Sequence, residues 1–357
     1  MYFDFKYALL HCKSKYKIMI NLVSDTVTMP TEEMKKAMFT AKVGDDVFRE
    51  DPSINALEER VADMFGKESA IFCPSGTMTN QIAIKCHTKA LDEVICDHYS
   101  HIYQYETGGY AFNSGVAINL IEGKNGKITA PQIAAVIKDD YDWLPKSSLV
   151  VLENSCNKGG GSYYTLDEIK PIQSLCRKKG MGLHLDGARL FNVIVETKET
   201  PKEVGQHFDS ISICMSKGLG APVGSLLIGE ASFIKQARRF RKVMGGGMRQ
   251  AGYLAAACSY ALDHHIDRLK IDNNRAKEVG QILEEQDYIA SVRPVQTNIL
   301  IFDLQEKGSA PKFIEKLAQA GILTYAFGPE TIRFVFHLDI TTEMFERIKE
   351  VVRTIKM

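Results

Sequence analysis

Ser210-Ile-Ser-Ile-Cys-Met-Ser-Lys217-Gly-Leu-Gly-Ala-Pro-Val-Gly-Ser225 is an apolar, strand-like run that stops at a lysine, with glycines at 218, 220 and 224 behind it. A lysine at the end of a buried strand is costly unless it is charge-paired or chemically used. One use is as an amine held out of water, its pKa lowered, ready to form a Schiff base. The competing reading is a solvated lysine in a strand-to-loop turn, and the rest of the chain decides between them.

Upstream of this stretch, short apolar runs alternate with helix-like segments. Ser69-Ala-Ile-Phe-Cys, Glu93-Val-Ile-Cys, Val116-Ala-Ile-Asn-Leu-Ile, Ser148-Leu-Val-Val-Leu-Glu and Met181-Gly-Leu-His-Leu-Asp read as strands. Ile54, Leu57, Val61, Met64 and Phe65 fall at helical spacing, and further helices are expected near 79–88, 130–138, 167–179 and 201–206. Strands alternating with helices predict an α/β fold, a mostly parallel sheet covered by helices. After about residue 270 the pattern changes to helices at 274–286, 311–320 and 342–355 with strands at 298–303 and 331–336. We therefore expect a large domain over 20–270, a smaller α+β domain over 271–357 and an N-terminal extension over 1–19.

The 357 residues are 45% hydrophobic and 25% charged, as in ordinary globular proteins. A formal net charge of zero gives no electrostatic reason to expect nucleic acid or an anionic membrane as partner. No apolar run approaches the roughly 20 residues of a membrane-spanning helix. The eight cysteines include no Cys-x-x-Cys pair and mostly sit in apolar stretches. That pattern favours buried free thiols in a reducing compartment, the cytoplasm, over disulfides or a metal site.

Several strands end in chemically suggestive residues: Pro74-Ser-Gly-Thr77, Asp97 to His101, Glu153-Asn154, Asp186 and Lys217. In open parallel sheets, ligands bind outside the carboxyl ends of the strands. Gly76 and Thr77 at a helix start suit a phosphate, although a plain helix cap would look similar. Asp186 could pair with a protonated ring nitrogen, or with Arg189. A phosphate cradle, a strand-end acid and a strand-end lysine, in that order, are the arrangement that pyridoxal 5'-phosphate needs.

At this point the motifs carry a family resemblance. Ser24-Asp-Thr-Val-Thr, Val43-Gly-Asp-Asp-Val, Pro74-Ser-Gly-Thr, Leu152-Glu-Asn, Leu185-Asp-Gly-Ala-Arg-Leu-Phe-Asn, Ser216-Lys-Gly-Leu-Gly and Gly245-Gly-Gly-Met-Arg-Gln resemble the low-specificity L-threonine aldolases. These are pyridoxal-phosphate enzymes of the aspartate-aminotransferase fold. The resemblance implies Lys217 as the Schiff-base lysine, Asp186 as partner of the pyridine nitrogen, and Gly76 and Thr77 as phosphate ligands. It implies Arg249 as a cofactor ligand reaching across a subunit interface, and Ser24, Arg189 and Arg333 as the grip on the substrate carboxylate. His101 would stack on the ring near the substrate hydroxyl. The family's assembly implies a homotetramer or homodimer with shared sites.

The departures fall on the substrate side. Trp143 stands where a histidine is usual, Cys156 replaces the histidine of Leu-Glu-Asn-Thr-His-Asn, and Phe48-Arg49 replaces Tyr-Gly. Trp143 and Phe48 read equally well as packing residues, and the glycine run Lys158 to Ser162 as a flexible lip. The implied activity is cleavage of L-threonine, L-allo-threonine or related β-hydroxy-α-amino acids to glycine and an aldehyde, with His101 or a water it orients as base. A β-eliminating lyase or racemase on another amino acid is the alternative, and a non-catalytic cofactor-binding protein a third reading.

Overall fold

The computed structural model describes residues 19–357, so the expected N-terminal extension up to Ile18 lies outside the described residues. In chain order the strands are β1 (Ile20–Asn21), β2 (Ser69–Cys73), β3 (Asp92–Asp97), β4 (Ala117–Ile121), β5 (Lys146–Glu153), β6 (Gly182–Gly187) and β7 (Ser210–Cys214). They continue with β8 (Ser225–Gly229), β9 (Ile289–Val292), β10 (Ile299–Leu304), β11 (Ile322–Leu323), β12 (Tyr325–Ala326) and β13 (Thr331–Val335). The chain divides into two compact units, Thr28–Lys270 and a second made of the described residues up to Val27 with Ile271–Met357.

In the larger unit seven strands form one sheet in the order β2-β8-β7-β6-β5-β3-β4. All pairs are parallel except those made by β8, which runs against both β2 and β7. The expected mostly parallel α/β sheet is what forms, with β8 as its one reversed strand.

Strand residues alternate between two buried faces, as the two-residue period of a strand requires. Phe72, Ile95, Val150, Leu152, Leu226 and Ile228 pack with Ile54, Leu57, Val61, Ile133, Ile169 and Ile172 on one side. On the other, Ile71, Cys73 and Leu227 meet Ile82, Ala83, Ile234 and Ala237, while Val94, Cys96, Leu149 and Val151 meet Ile84 and Ile102. Cover on both faces is why the central strands read as largely apolar runs, interrupted only by buried polar residues such as His184 and Ser212.

The smaller unit holds an antiparallel sheet, β12-β13-β10-β9, and a two-stranded parallel pair, β1 with β11. Helices Ala310–Gln319 and Thr342–Thr354 bury Phe313, Leu317, Phe345, Ile348 and Val352 with Phe302 and Phe334 of its sheet. The C-terminal part of this unit begins at Ile271. Residues 20–27, expected in the large domain, belong instead to this unit, because Ile20 and Asn21 pair with Ile322 and Leu323. A two-residue strand has no periodicity to read, so its partner was invisible in the sequence.

Candidate active site

β2, β3, β5, β6 and β7 run in the same direction, so their carboxyl ends share one edge of the sheet. Register sets Glu153, Asp186 and Ser212 side by side on adjacent strands, and this edge gathers most of the expected residues.

The helix Gly76–His87 follows β2, and its N-cap Ser75 accepts a hydrogen bond from Met78 N at 3.2 Å. A Cβ on residue 76 would lie 2.5 Å from Cys214 Sγ, so only glycine lets this helix start sit against the end of β7. Ser75 and Thr77 are exposed, which leaves hydroxyls beside the unpaired N–H groups of the first turn.

One turn further on, Asn80 Nδ2 donates to Asp186 Oδ2 at 2.8 Å and to Glu106 Oε1 at 2.9 Å. Asp186 Oδ1 also accepts from Ala188 N at 3.2 Å. Asp186 and Glu106 are both buried, 3% and 4% exposed. His101 opens the short helix His101–Gln104, and its Nδ1 lies 3.0 Å from Glu106 Oε1. Ligand atoms of His101, Glu106 and Asp186 all fall within 4.8 Å of one another.

Burial works to lower the His101 pKa, but the hydrogen bond to Glu106 and the charges of Asp186 and Glu153 outweigh it and hold the imidazole above its usual value. Glu153 accepts from His101 N at 2.9 Å and Asn157 N at 2.8 Å, pinning the start of the histidine's helix. Burial, then the Asp186 charge, push the Glu153 carboxyl up to about 7.

Lys217 stands three residues beyond β7 and lines one pocket with Arg189, Asn192, Cys214 and Leu269. It is half-buried, less withdrawn from water than a strand-end position suggested, because the backbone has already turned away from the sheet. Among the described residues its amine makes no hydrogen bond or ion pair. Arg189 is 7% exposed at the start of the helix Leu190–Thr197. Gly76, Asp186, Lys217, His101 and Arg189 are thus linked through Asn80, Glu106 and Cys214.

Other expected residues lie elsewhere. Arg249 pairs with Asp45 at 2.7 Å with its side chain 55% exposed, its guanidinium over the Phe48 ring. In the smaller unit Arg333 donates to Val23 O at 2.9 Å and to Tyr325 Oη, next to Ser24. The Ser24 hydroxyl accepts from Thr26 Oγ1 at 2.9 Å.

The loops correct three expectations. Trp143 and Phe48 are 76% and 69% exposed, so neither packs in a core. The Lys158 to Ser162 run is a tied-down turn, with Cys156 N bonded to Ser162 O and Gly161 N to Cys156 O at 2.8 and 2.9 Å. Gly159 is pressed so close that a Cβ would lie 2.0 Å from Asn125 O, which excludes a flexible lip. Cys156 is a buried thiol against Glu153 O at 3.0 Å, its pKa raised by burial. Asn80, Glu106 and Glu153 were given no role from sequence. Glu153 was noted only as a strand end, Glu106 signalled itself only by standing five residues after His101, and Asn80 gave no signal.

Chemically, the edge offers an open helix start for an anion, a buried carboxylate for a cationic ring nitrogen and an unpaired amine for a carbonyl carbon. The family described as Beta-eliminating lyase matches residues 21–307. With this strand-end site the match defines an enzyme, a lyase. The chain is 39% identical to the low specificity L-threonine aldolase of Escherichia coli (strain K12), covering 92% of this chain and 97% of that protein. It is 38% identical to low-specificity L-threonine aldolase 1 of Arabidopsis thaliana, covering 90% and 92%. The solved threonine aldolase of Leishmania major shares the fold, with a TM-score of 0.82 at 20% identity over 94% of this chain and 98% of that one. The chain belongs to the low-specificity L-threonine aldolase family.

Proposed function

We propose that this enzyme uses pyridoxal 5'-phosphate to cleave L-threonine, L-allo-threonine or related β-hydroxy-α-amino acids into glycine and an aldehyde. The observation that carries the reading is the convergence of Gly76, Asp186 and the unpaired Lys217 at one sheet edge, in a chain of this family. These residues fit the cofactor by their chemistry. The exposed helix start at Gly76 and Thr77 suits its phosphate, Asp186 its ring nitrogen, and the Lys217 amine its aldehyde carbon. Held by Gly76, Thr77, Asp186 and Lys217, the cofactor would supply an electron sink for cleavage of the substrate's Cα–Cβ bond.

The protein's own part is to orient and to move one proton. The family resemblance assigns Arg189 to the substrate carboxylate, for which a guanidinium fork is well matched, and gives Ser24 and Arg333 the same role. His101 is assigned to the β-hydroxyl proton. With Nδ1 committed to Glu106, its Nε2 remains for that proton, and the carboxylates that raise its pKa make it a stronger base. Catalysis needs the neutral ring, so the rate should climb as pH rises through a value above the ordinary 6.5. Arg249, exposed beside Asp45, is assigned to a cofactor shared across a dimer or tetramer interface. Seven free cysteines among the described residues support a reducing, cytoplasmic setting. The two compact units support a large domain and a smaller one built mainly from the C-terminal residues.

The test is purified protein with pyridoxal phosphate and L-threonine, L-allo-threonine or L-phenylserine, following glycine and aldehyde. Release of ammonia with 2-oxobutanoate from either threonine, or with phenylpyruvate from L-phenylserine, would instead transfer the reading to a β-eliminating lyase. Binding without turnover of any of the three would leave a non-catalytic cofactor-binding protein.

A further inference from the structure

Asn80 touches two carboxylates at once, and that fixes more than its own orientation. Carboxylates ionised at Asp186 and Glu106 can only accept, so both must face Asn80 Nδ2, and both of its hydrogens are used. Asn80 Oδ1 is left as an acceptor, and what faces it is His184 Nε2 at 3.2 Å. His184 must therefore carry its hydrogen on Nε2. Its Nδ1, 2.8 Å from Ser210 Oγ, then has a lone pair, so Ser210 donates to it. The Ser210 oxygen in turn accepts from His87 Nε2, at 2.7 Å. Every link follows from the one before it, and no link can be reversed alone.

We infer that His87, Ser210, His184 and Asn80 form a hydrogen-bond chain of one fixed direction that positions Asp186 and Glu106 as a carboxylate pair for the cofactor nitrogen and His101. This purpose rests on the cofactor reading above; the direction of the chain does not. His184 and Ser210 are 0% exposed and Asn80 is 2% exposed, so water cannot substitute for a lost link between Ser210 and Asn80. Burial also pushes His184 down to about 3 and His87 to about 4, the latter against the pull of Asp209, which keeps both rings neutral at physiological pH.

Neutrality is the useful property. A charged partner would orient Asp186 but also cancel its charge. A line of neutral dipoles, with its positive end on the carboxylate, holds the group still and leaves its full attraction for a protonated ring nitrogen. Gln81 Nε2, bonded to Glu106 Oε2, steadies the second carboxylate in the same way. The four residues are positioning residues, since only Asp186 would touch the cofactor.

The test compares His184→Leu with His184→Gln. A glutamine amide can donate to Asn80 Oδ1 and accept from Ser210, keeping the direction; leucine severs the chain at similar bulk. We expect His184→Leu to weaken retention of pyridoxal phosphate by about ten-fold or more and to shift the pH at which its visible band titrates. His184→Gln should stay within about three-fold of wild type, with Ser210→Ala between the two. Nitrogen-15 spectra of histidine-labelled protein should show His184 and His87 as neutral Nε2–H tautomers. Equal retention and equal band titration in His184→Leu and His184→Gln, or either ring protonated on Nδ1 instead, would overturn the inference. If His184→Leu does not fold, Ser210→Ala and the tautomers still decide. Wild-type protein that binds no pyridoxal phosphate would defeat the cofactor reading, while the tautomers would judge the chain separately.

Discussion

Two regions of the larger unit treat polar and apolar side chains in opposite ways. In β5 and β6 and the loop that follows the His101 helix, carboxylates and a histidine are buried: Glu153, Asp186, Glu106 and His184 are 7%, 3%, 4% and 0% exposed. Each has named hydrogen-bond partners, as burial of polar groups demands. In the loops around Asp45 to Arg49 and Tyr141 to Trp143 the reverse holds. Phe48 and Trp143 are large, apolar and open to solvent, and Arg249 lies over Phe48 rather than in a cavity. The sheet edge is interlocked, so one changed residue there strands a partner. Asp46 in the first loop is likewise buried and ion-paired with Arg241 at 2.9 Å, but the exposed Phe48 and Trp143 rings can vary without disturbing the fold, and the departures at Phe48, Arg49 and Trp143 fall in these loops. The remaining departure, Cys156, is the exception: it is buried, with its thiol against Glu153 O at the sheet edge.

The largest expected effect tests the interlocked side. Lys217→Ala removes an amine that no other described residue contacts through a hydrogen bond or ion pair. Its loss should therefore leave the fold intact and remove the chemistry. We expect cleavage of L-threonine to fall on the order of 10³-fold or more, with loss of the wild-type visible band and an unchanged unfolding midpoint. A variant that kept the same band would end the assignment of Lys217 to the aldehyde carbon.

Much of this edge was legible because parallel strands covered on both faces must be apolar until they end. Leu149 to Leu152 stop at Glu153, and Leu183 to Leu185 enclose only His184 before Asp186. That one interruption was itself the sign of a buried polar partner, though sequence could not say which. What stayed hidden depended on contacts between distant segments. Asn80 sits on a helix with Asp186 on a strand far along the chain, and neither spacing nor composition joins them. The reversed direction of β8 was hidden because an apolar run reads the same both ways. The glycine run at 159–161 misled, since glycine serves equally for mobility and for close approach, and here Asn125 O occupies the space a side chain would need.

A second test uses pH on Glu153, whose folded value is raised from 4.5 to about 7 by burial first and by the Asp186 charge next. A group with a raised folded pKa contributes stability that is complete below its unfolded value and is lost as pH rises through its folded one. Wild type should lose this contribution between pH 4.5 and about 7, a change of at most about 3 kcal/mol. Glu153→Gln cannot titrate. Its amide also meets two backbone N–H groups with only one acceptor, so it should be less stable at every pH. The readout is therefore the slope: urea unfolding at several pH values should show wild type minus variant shrinking as pH rises. A difference that stayed flat or grew would mean that burial does not raise the Glu153 pKa and that its carboxylate is ionised throughout.

The smallest effect belongs to the loops and separates their two remaining roles. Trp143 stacks on Tyr141 with ring centres 4.8 Å apart and planes 7° from parallel, in the open. Removing a mostly exposed ring leaves no cavity, so Trp143→Ala and Phe48→Ala should each change stability by less than about 0.5 kcal/mol, or about 2 °C in unfolding midpoint. Stability therefore cannot be what these rings are for. If the Trp143 loop faces the substrate, as its place in the family pattern implies, the alanine variant should shift the kcat/KM ratio of L-phenylserine to L-threonine by a few-fold. If Phe48 serves assembly with Arg249, its variant should leave that ratio alone and lower the mass measured by sedimentation. Both ratios and both masses unchanged would make the two departures neutral, and the contrast between interlocked edge and free loop would then be one of tolerance alone.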